Sequence, residues 1–133
     1  MRLVLDTNVV VSALPSPRDA PARALDRVLA GDHVLLLDDR IRAEYAEVLA
    51  RPRFGFGAHD VATLLAWLSA WAEPVDAKPL RLKLPDPDDL PFVEVALAGR
   101  ADALVTGNPR HYDVPGIPGA VRVVSPAELL GML

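Results

Sequence analysis

The stretch RLVLDTNVV, residues 2–10, decides the fold. Leu3-Val4-Leu5 is short and apolar, which is typical of a buried parallel strand. Asp6 follows directly, and in open α/β sheets ligands bind beyond the carboxyl ends of the strands. Asp6 is therefore a candidate ligand. The alternative is that Asp6, Thr7 or Asn8 caps a following helix, because all three residue types serve as N-caps.

Composition limits the class of protein. The chain has 133 residues, 51% hydrophobic and 24% charged, which predicts a single compact domain over residues 1–133. The absence of cysteine excludes disulfides and thiolate metal sites. No apolar stretch approaches the roughly 18 residues that span a bilayer, and no signal-peptide pattern is present, so we expect a cytoplasmic protein without a membrane partner. The net charge of −4 argues against a protein that coats nucleic acid.

Strand and helix signals alternate along the rest of the chain. Helices are predicted over residues 20–30, 40–50, 59–72 and 126–130, and a further helix, after the proline-rich loop, ends at Ala98. Later strands are predicted over residues 33–37, near 74–76, and over 103–106 and 121–124. This alternation predicts an α/β fold with a parallel sheet covered on both faces. Trp67 and Trp71 lie one helical turn apart and are interpreted mainly as core residues, with ligand stacking or a dimer surface as the alternatives.

Acidic residues recur near the predicted carboxyl ends of the strands. Glu44 borders the apolar stripe of its helix, where a carboxylate requires a cation or an ion pair with an arginine such as Arg40. Three carboxylates precede the next helix, more than one N-cap requires: Asp86, Asp88 and Asp89. Glu94, within that helix, either points toward the same edge or lies exposed. Asn108 follows a strand end, although a simple turn is the alternative.

These side chains together offer oxygen ligands only. Oxygen ligands without cysteine or a spaced histidine pair suit Mg²⁺ or Mn²⁺ rather than zinc. The carboxylates would repel one another unless a divalent ion lay between them. The chemistry that fits is metal-assisted hydrolysis of a phosphodiester. An EF-hand is excluded because Leu90 and Pro91 occupy the positions of a ligand and the required glycine.

Four segments, in this order, resemble the PIN-domain family: LDTNV at 5–9, EY at 44–45 with VLARP at 48–52, DPDD at 86–89 with PFVEVA at 91–96, and ADALVTGN at 101–108. The resemblance covers essentially the whole chain and is strongest to VapC-like ribonucleases, the toxins of toxin–antitoxin systems. It implies a Rossmann-like α/β/α three-layer sandwich and a Mg²⁺- or Mn²⁺-dependent endoribonuclease, a hydrolase acting on RNA phosphodiester bonds. It also implies an antitoxin partner and frequent homodimers.

The resemblance assigns the metal ligands residue by residue. Asp6 matches the first metal-binding aspartate, and Glu44 matches the second acid. The usual third aspartate falls on Leu90, so either Asp89 or Glu94, on either side of that position, supplies the third acid, and we expect both to face the ion as catalytic acids. The fourth acid is replaced by Asn108, a neutral candidate ligand.

Further residues are assigned supporting roles. Asn8 and Thr106 are expected to organise the site by hydrogen bonds. Arg51, Arg53 and Arg110 flank the expected cleft and are candidates for contacts with RNA phosphates, with solvated surface charges as the alternative.

Two functions stay open on this evidence. The first is a metal-dependent endoribonuclease that acts as the toxin of a toxin–antitoxin pair. The second is a catalytically weak or inactive PIN-like module that binds RNA or protein, which the departures at Leu90 and Asn108 favour.

Overall fold

The computed structural model describes all 133 residues and has one five-stranded sheet at its centre. The strands are β1 (Arg2–Leu5), β2 (Val34–Leu37), β3 (Ala72–Pro74), β4 (Ala103–Val105) and β5 (Val123–Val124). Their order is β3-β2-β1-β4-β5, and all four pairings are parallel. With helices flanking the sheet, the structure confirms the predicted three-layer α/β/α sandwich. The carboxyl ends of all five strands therefore meet at one edge.

Six α-helices surround the sheet. They are α1 (Thr7–Ala13), α2 (Ala20–Ala30), α3 (Asp39–Leu49), α4 (Ala58–Trp71), α5 (Leu90–Ala98) and α6 (Pro126–Met132). Short 3₁₀ helices cover Pro52–Phe54, Pro87–Asp89 and Pro109–Tyr112. No helix is long and apolar enough to cross a lipid bilayer.

Helix α1 was not predicted from the sequence. Its consecutive valines have side chains that favour strands. Val9 and Val10 are nevertheless buried, because α1 packs against α2 and α3 and these tertiary contacts outweigh intrinsic preference. Helix α1 matters for function because it begins directly after Asp6.

The core is built around β1. Leu3, Val4 and Leu5 are completely buried, since β1 lies between β2 and β4 and α5 packs against all three strands. Asp102, at the amino end of β4, accepts a hydrogen bond of 2.7 Å from the backbone N–H of Arg2. Asp102 thus has a structural role, at the opposite edge of the sheet from Asp6.

The two tryptophans of α4 are not core residues, and that prediction was wrong. Trp67 is 53% exposed and Trp71 is 59% exposed. The buried residues of α4 are Val61 and Leu68, two turns apart, so the buried stripe is narrower than the apolar run in the sequence. The tryptophans lie on the flank of that stripe and face solvent.

Candidate active site

Asp6 lies at the carboxyl end of β1 with only 4% of its surface exposed. It holds the N-cap position of α1, but its side chain makes no capping hydrogen bond. Its Oδ2 atom instead accepts hydrogen bonds from the Thr106 hydroxyl at 2.9 Å and the Tyr112 hydroxyl at 2.8 Å. The capping alternative is therefore excluded for the side chain of Asp6.

Tyr112 is a site residue that the sequence analysis missed. It ends the 3₁₀ helix Pro109–Tyr112 and is 1% exposed. Burial and the nearby Asp6 carboxylate raise the pKa of Tyr112, so its hydroxyl remains a hydrogen-bond donor. A lone aromatic residue in an otherwise polar and proline-rich loop was the available signal.

Thr106 and Asn8 form a network that orients Asp6. The Thr106 hydroxyl donates to Asp6 and accepts from the Asn8 amide at 3.2 Å and from the Asn108 backbone N–H at 3.1 Å. The Asn8 side-chain oxygen in turn accepts from the Gly107 N–H at 2.9 Å. Because a hydroxyl has a single proton, its two incoming donors direct that proton to Asp6.

Glu44 extends from α3 and is half-buried. The Thr7 hydroxyl donates a hydrogen bond to its Oε2 atom. Burial raises the pKa of Glu44, the negative charges of Asp6, Asp88 and Asp86 raise it further, and the Thr7 hydrogen bond opposes the rise. Glu44 forms no ion pair with an arginine, so the alternative considered from the sequence does not apply.

Asp89 ends the 3₁₀ helix before α5 and is 8% exposed. Its Oδ2 atom is buried without a hydrogen-bond partner, since His111 Nδ1 lies 3.6 Å away, beyond hydrogen-bonding distance. Burial and then the charges of four neighbouring carboxylates raise the pKa of Asp89 to about 7. These neighbours are Asp6, Asp86, Glu44 and Asp88. A buried carboxylate oxygen left without a partner is costly, and it marks a place for a cation.

Glu94 does not join this group, and its predicted placement needs correction. Its Oε1 atom forms an ion pair of 2.6 Å with Arg40, and its Oε2 atom accepts a hydrogen bond of 2.7 Å from the Leu80 N–H. Arg40 also pairs with Asp38 at 2.7 Å. Glu94 is 4% exposed and connects α5 to α3 and to the loop before α5. It does not line the cleft that contains the other acids.

The acidic residues line a cleft of about 330 Å³ at the carboxyl edge of the sheet. Five carboxylates contribute to it: Asp6, Glu44, Asp86, Asp88 and Asp89. Asn108 and His111 line the same cleft. No three acidic or histidine side chains are grouped closely enough to hold one metal ion as they stand.

Two of the three candidate arginines line the cleft. Arg51 does so while paired with Glu47 at 2.8 Å, and Arg53 does so without a carboxylate partner. Arg110 lies instead in an adjacent hollow that shares Asn108 and His111 with the cleft. The structure therefore does not bring Arg110 into the cleft itself.

The fold and site together define a parallel α/β protein with an acidic cleft beyond the end of its central strand. A sequence model described as "PIN domain" matches residues 2–110. The chain therefore belongs to the PIN-domain family, which is a family of nucleases that generally use divalent metal ions.

A solved structure has the same fold. It is VapBC2 from Rickettsia felis bound to a DNA fragment from its promoter, and one of its chains aligns with a TM-score of 0.65 and 18% identity. The alignment covers 94% of this chain and 98% of that one. No curated protein matches the chain.

The contacts of Glu94 predict a structural role. Glu94→Ala should lower the free energy of unfolding by about 2–3 kcal/mol, because it leaves the Leu80 N–H without its partner and removes one of the two carboxylates that pair with Arg40. Glu94→Gln should lower the free energy of unfolding by less, since its amide oxygen can still accept a hydrogen bond from the Leu80 N–H. Urea denaturation measures both effects. Unchanged stability in Glu94→Ala, together with lost metal binding, would instead make Glu94 a ligand.

Proposed function

We propose that this protein is a Mg²⁺- or Mn²⁺-dependent endoribonuclease that hydrolyses phosphodiester bonds of RNA. The observation that carries this proposal is the buried Oδ2 atom of Asp89, which has no hydrogen-bond partner and lies in the same cleft as Asp6 and Glu44. Family membership supports the nuclease class. The oxygen-only donor set supports the choice of metal.

Three carboxylates would hold the ion, and each has an oxygen available. Asp6 uses only Oδ2 for its hydrogen bonds, Glu44 uses only Oε2, and Asp89 leaves Oδ2 free. Asn108 is proposed as a neutral fourth ligand from the same cleft. A divalent ion bound there would lower the pKa of a water and neutralise charge on the phosphate under attack.

The protein residues around the ligands have positioning roles. Thr106 and Tyr112 both donate to Oδ2 of Asp6, which orients the carboxylate and leaves Oδ1 for the ion. Asn8 orients Thr106. Arg53 has no carboxylate partner and is the arginine we assign to an RNA phosphate. Arg51 is assigned a weaker contact because it is paired with Glu47.

A second candidate function rests on two observations. Asn108 carries no charge where the family resemblance expects an acid, and no three ligands are grouped closely enough for one ion as they stand. A catalytically weak or inactive module that binds RNA or protein would need neither a fourth acidic ligand nor three ligands close enough to hold one ion.

Cleavage of RNA distinguishes these functions. With Mn²⁺, the purified protein should cleave single-stranded RNA, and Asp6→Asn should reduce the rate by more than about 100-fold because it removes a charged ligand. Tyr112→Phe should reduce it by about 10- to 100-fold, since it removes one donor to that ligand. Asp26→Asn, at an exposed aspartate on α2, is the matched control and should leave the cleavage rate unchanged. Equal cleavage by Asp6→Asn would reject the assignment.

Thermal unfolding tests metal binding independently of catalysis. Mn²⁺ at about 100 times its Kd should raise the Tm by about 5–10 °C, because the ion relieves repulsion among the cleft carboxylates and binds only the folded state. Asp89→Asn should raise the Tm in EDTA and remove most of the Mn²⁺ effect. Glu94→Gln should keep the full Mn²⁺ effect. A Tm insensitive to every divalent ion would favour the second function.

We also propose that the protein is the toxin of a toxin–antitoxin pair in the cytoplasm, with an antitoxin protein as partner. The fold shared with a chain of the VapBC2 complex supports this proposal. The exposed Trp67 and Trp71 offer an apolar surface for the homodimer that we propose as its assembly.

Expression in a bacterial host tests the toxin proposal. The wild-type protein should arrest growth, whereas Asp6→Asn expressed to the same level should not. Co-expression of the open reading frame adjacent to this gene should restore growth, and its product should co-purify with the protein. Normal growth with abundant, folded wild-type protein would contradict the proposal.

A further inference from the structure

Three flat side chains form a stack at the rim of the acidic cleft, in the segment between α3 and α4. The rings of Phe54 and Phe56 lie 5.6 Å apart between centroids, with their planes within 8° of parallel. The Arg53 guanidinium carbon lies 4.7 Å from the centroid of the Phe54 ring. Arg53 and Phe54 both line the cleft. We refer to these three residues as the aromatic stack.

Backbone geometry builds this stack from neighbouring residues. Gly55 has φ of 67°, in the left-handed region that glycine adopts without steric cost, and its N–H donates to the Pro52 carbonyl at 3.1 Å. The chain therefore turns sharply between the two phenylalanines. Phe56 packs against the hydrophobic core, whereas Phe54 does not. Phe54 is thus held at the cleft by its neighbours in the stack, and core packing does not explain its position.

The charges around the cleft point to what the stack can bind. Five carboxylates line the cleft and repel a nucleic-acid backbone, so an incoming strand needs compensating contacts. Arg51 is already neutralised by Glu47, which leaves Arg53 as the arginine of the cleft without a carboxylate partner. An arginine plane lying over an aromatic ring is a surface on which unpaired nucleobases stack, with the positive charge close to the backbone phosphates.

We propose that the aromatic stack is a nucleobase subsite, in which one unpaired base of a single-stranded nucleic acid stacks on the Arg53 guanidinium, which the Phe54 ring holds at the cleft. The inference rests on the proposed nuclease function and deepens it. It makes unpaired RNA the preferred substrate over duplex RNA, because a paired base has no free face to offer. It also places one sequence-tolerant base contact beside the cleft.

Substitution of the base and of the ring together tests the subsite. A fluorescent 12-nucleotide single-stranded RNA is prepared together with a strand of the same length and backbone that carries no bases. Binding is measured by fluorescence anisotropy in EDTA with Asp6→Asn protein, so that no strand is cut. Phe54→Leu removes the ring beneath Arg53 and should weaken binding of the intact RNA by about 10- to 100-fold, the range expected for loss of one base-stacking platform. On the strand without bases, Phe54→Leu should have no effect.

Control variants separate stacking from charge and from folding. Arg53→Lys keeps the charge and removes the plane, so it should lose affinity for the intact RNA and little for the strand without bases. Arg23→Lys makes the same change at an exposed arginine of α2 outside the cleft and should bind as the parent does. Phe54→Leu should keep the parent Tm, because Phe54 does not pack against the core.

The outcomes separate this inference from the nuclease assignment. Equal binding of parent and Phe54→Leu to the intact RNA rejects the subsite, and so does a loss that is equally large on the strand without bases. The nuclease assignment stands in both cases if protein with Asp6 intact cleaves RNA with Mn²⁺.

Phe54-dependent binding without any cleavage supports the subsite and rejects the nuclease assignment. If binding of single-stranded DNA depends on Phe54 and on the bases while binding of RNA does not, the subsite is supported and RNA is rejected as its ligand. Absence of binding to either nucleic acid rejects the subsite.

Discussion

The parallel pairing of β1 with β4 is the constraint on which the site depends. Its register places Leu5 opposite Val105, so the next residues, Asp6 and Thr106, emerge side by side. The Asp6 N–H donates to the Val105 carbonyl at 2.9 Å, and the Thr106 hydroxyl donates to the Asp6 carboxylate. A shift of one residue in this register would turn Asp6 to the other face of the sheet and separate the pair.

Around this pair the protein accumulates charge that its own hydrogen bonds do not compensate. Asp6 has two donors and Glu44 has one, but the buried oxygen of Asp89 has none. Proteins retain such unfavourable groups at functional sites, where a ligand supplies the missing interaction. Burial and the neighbouring carboxylates raise the pKa of Asp89 to about 7, which reflects the same unfavourable burial of an uncompensated charge.

The errors in the sequence interpretation have a common physical origin. Glu94 was expected at the ion because helical spacing from Asp89 allows it, but Arg40 and the Leu80 N–H lie closer and take both of its oxygens. Tyr112 was overlooked because it comes from a loop that returns to the end of β1 only in the folded chain. Trp67 and Trp71 were assigned to the core because spacing shows which residues share a helix face, without showing how much of that face is covered.

The sequence by itself determined the α/β class, the order of the strands and of every helix except α1, the family resemblance and two acids of the cleft, Asp6 and Glu44. These features depend on local patterns: short apolar strands, helix ends, and polar residues directly after a strand. Only the tertiary structure decided between Asp89 and Glu94, and only it revealed Tyr112 and the stack of Phe54 on Phe56. Those features depend on which distant groups meet in space: both carboxylates are buried, but Glu94 meets Arg40 and the Leu80 N–H, whereas Oδ2 of Asp89 meets no donor.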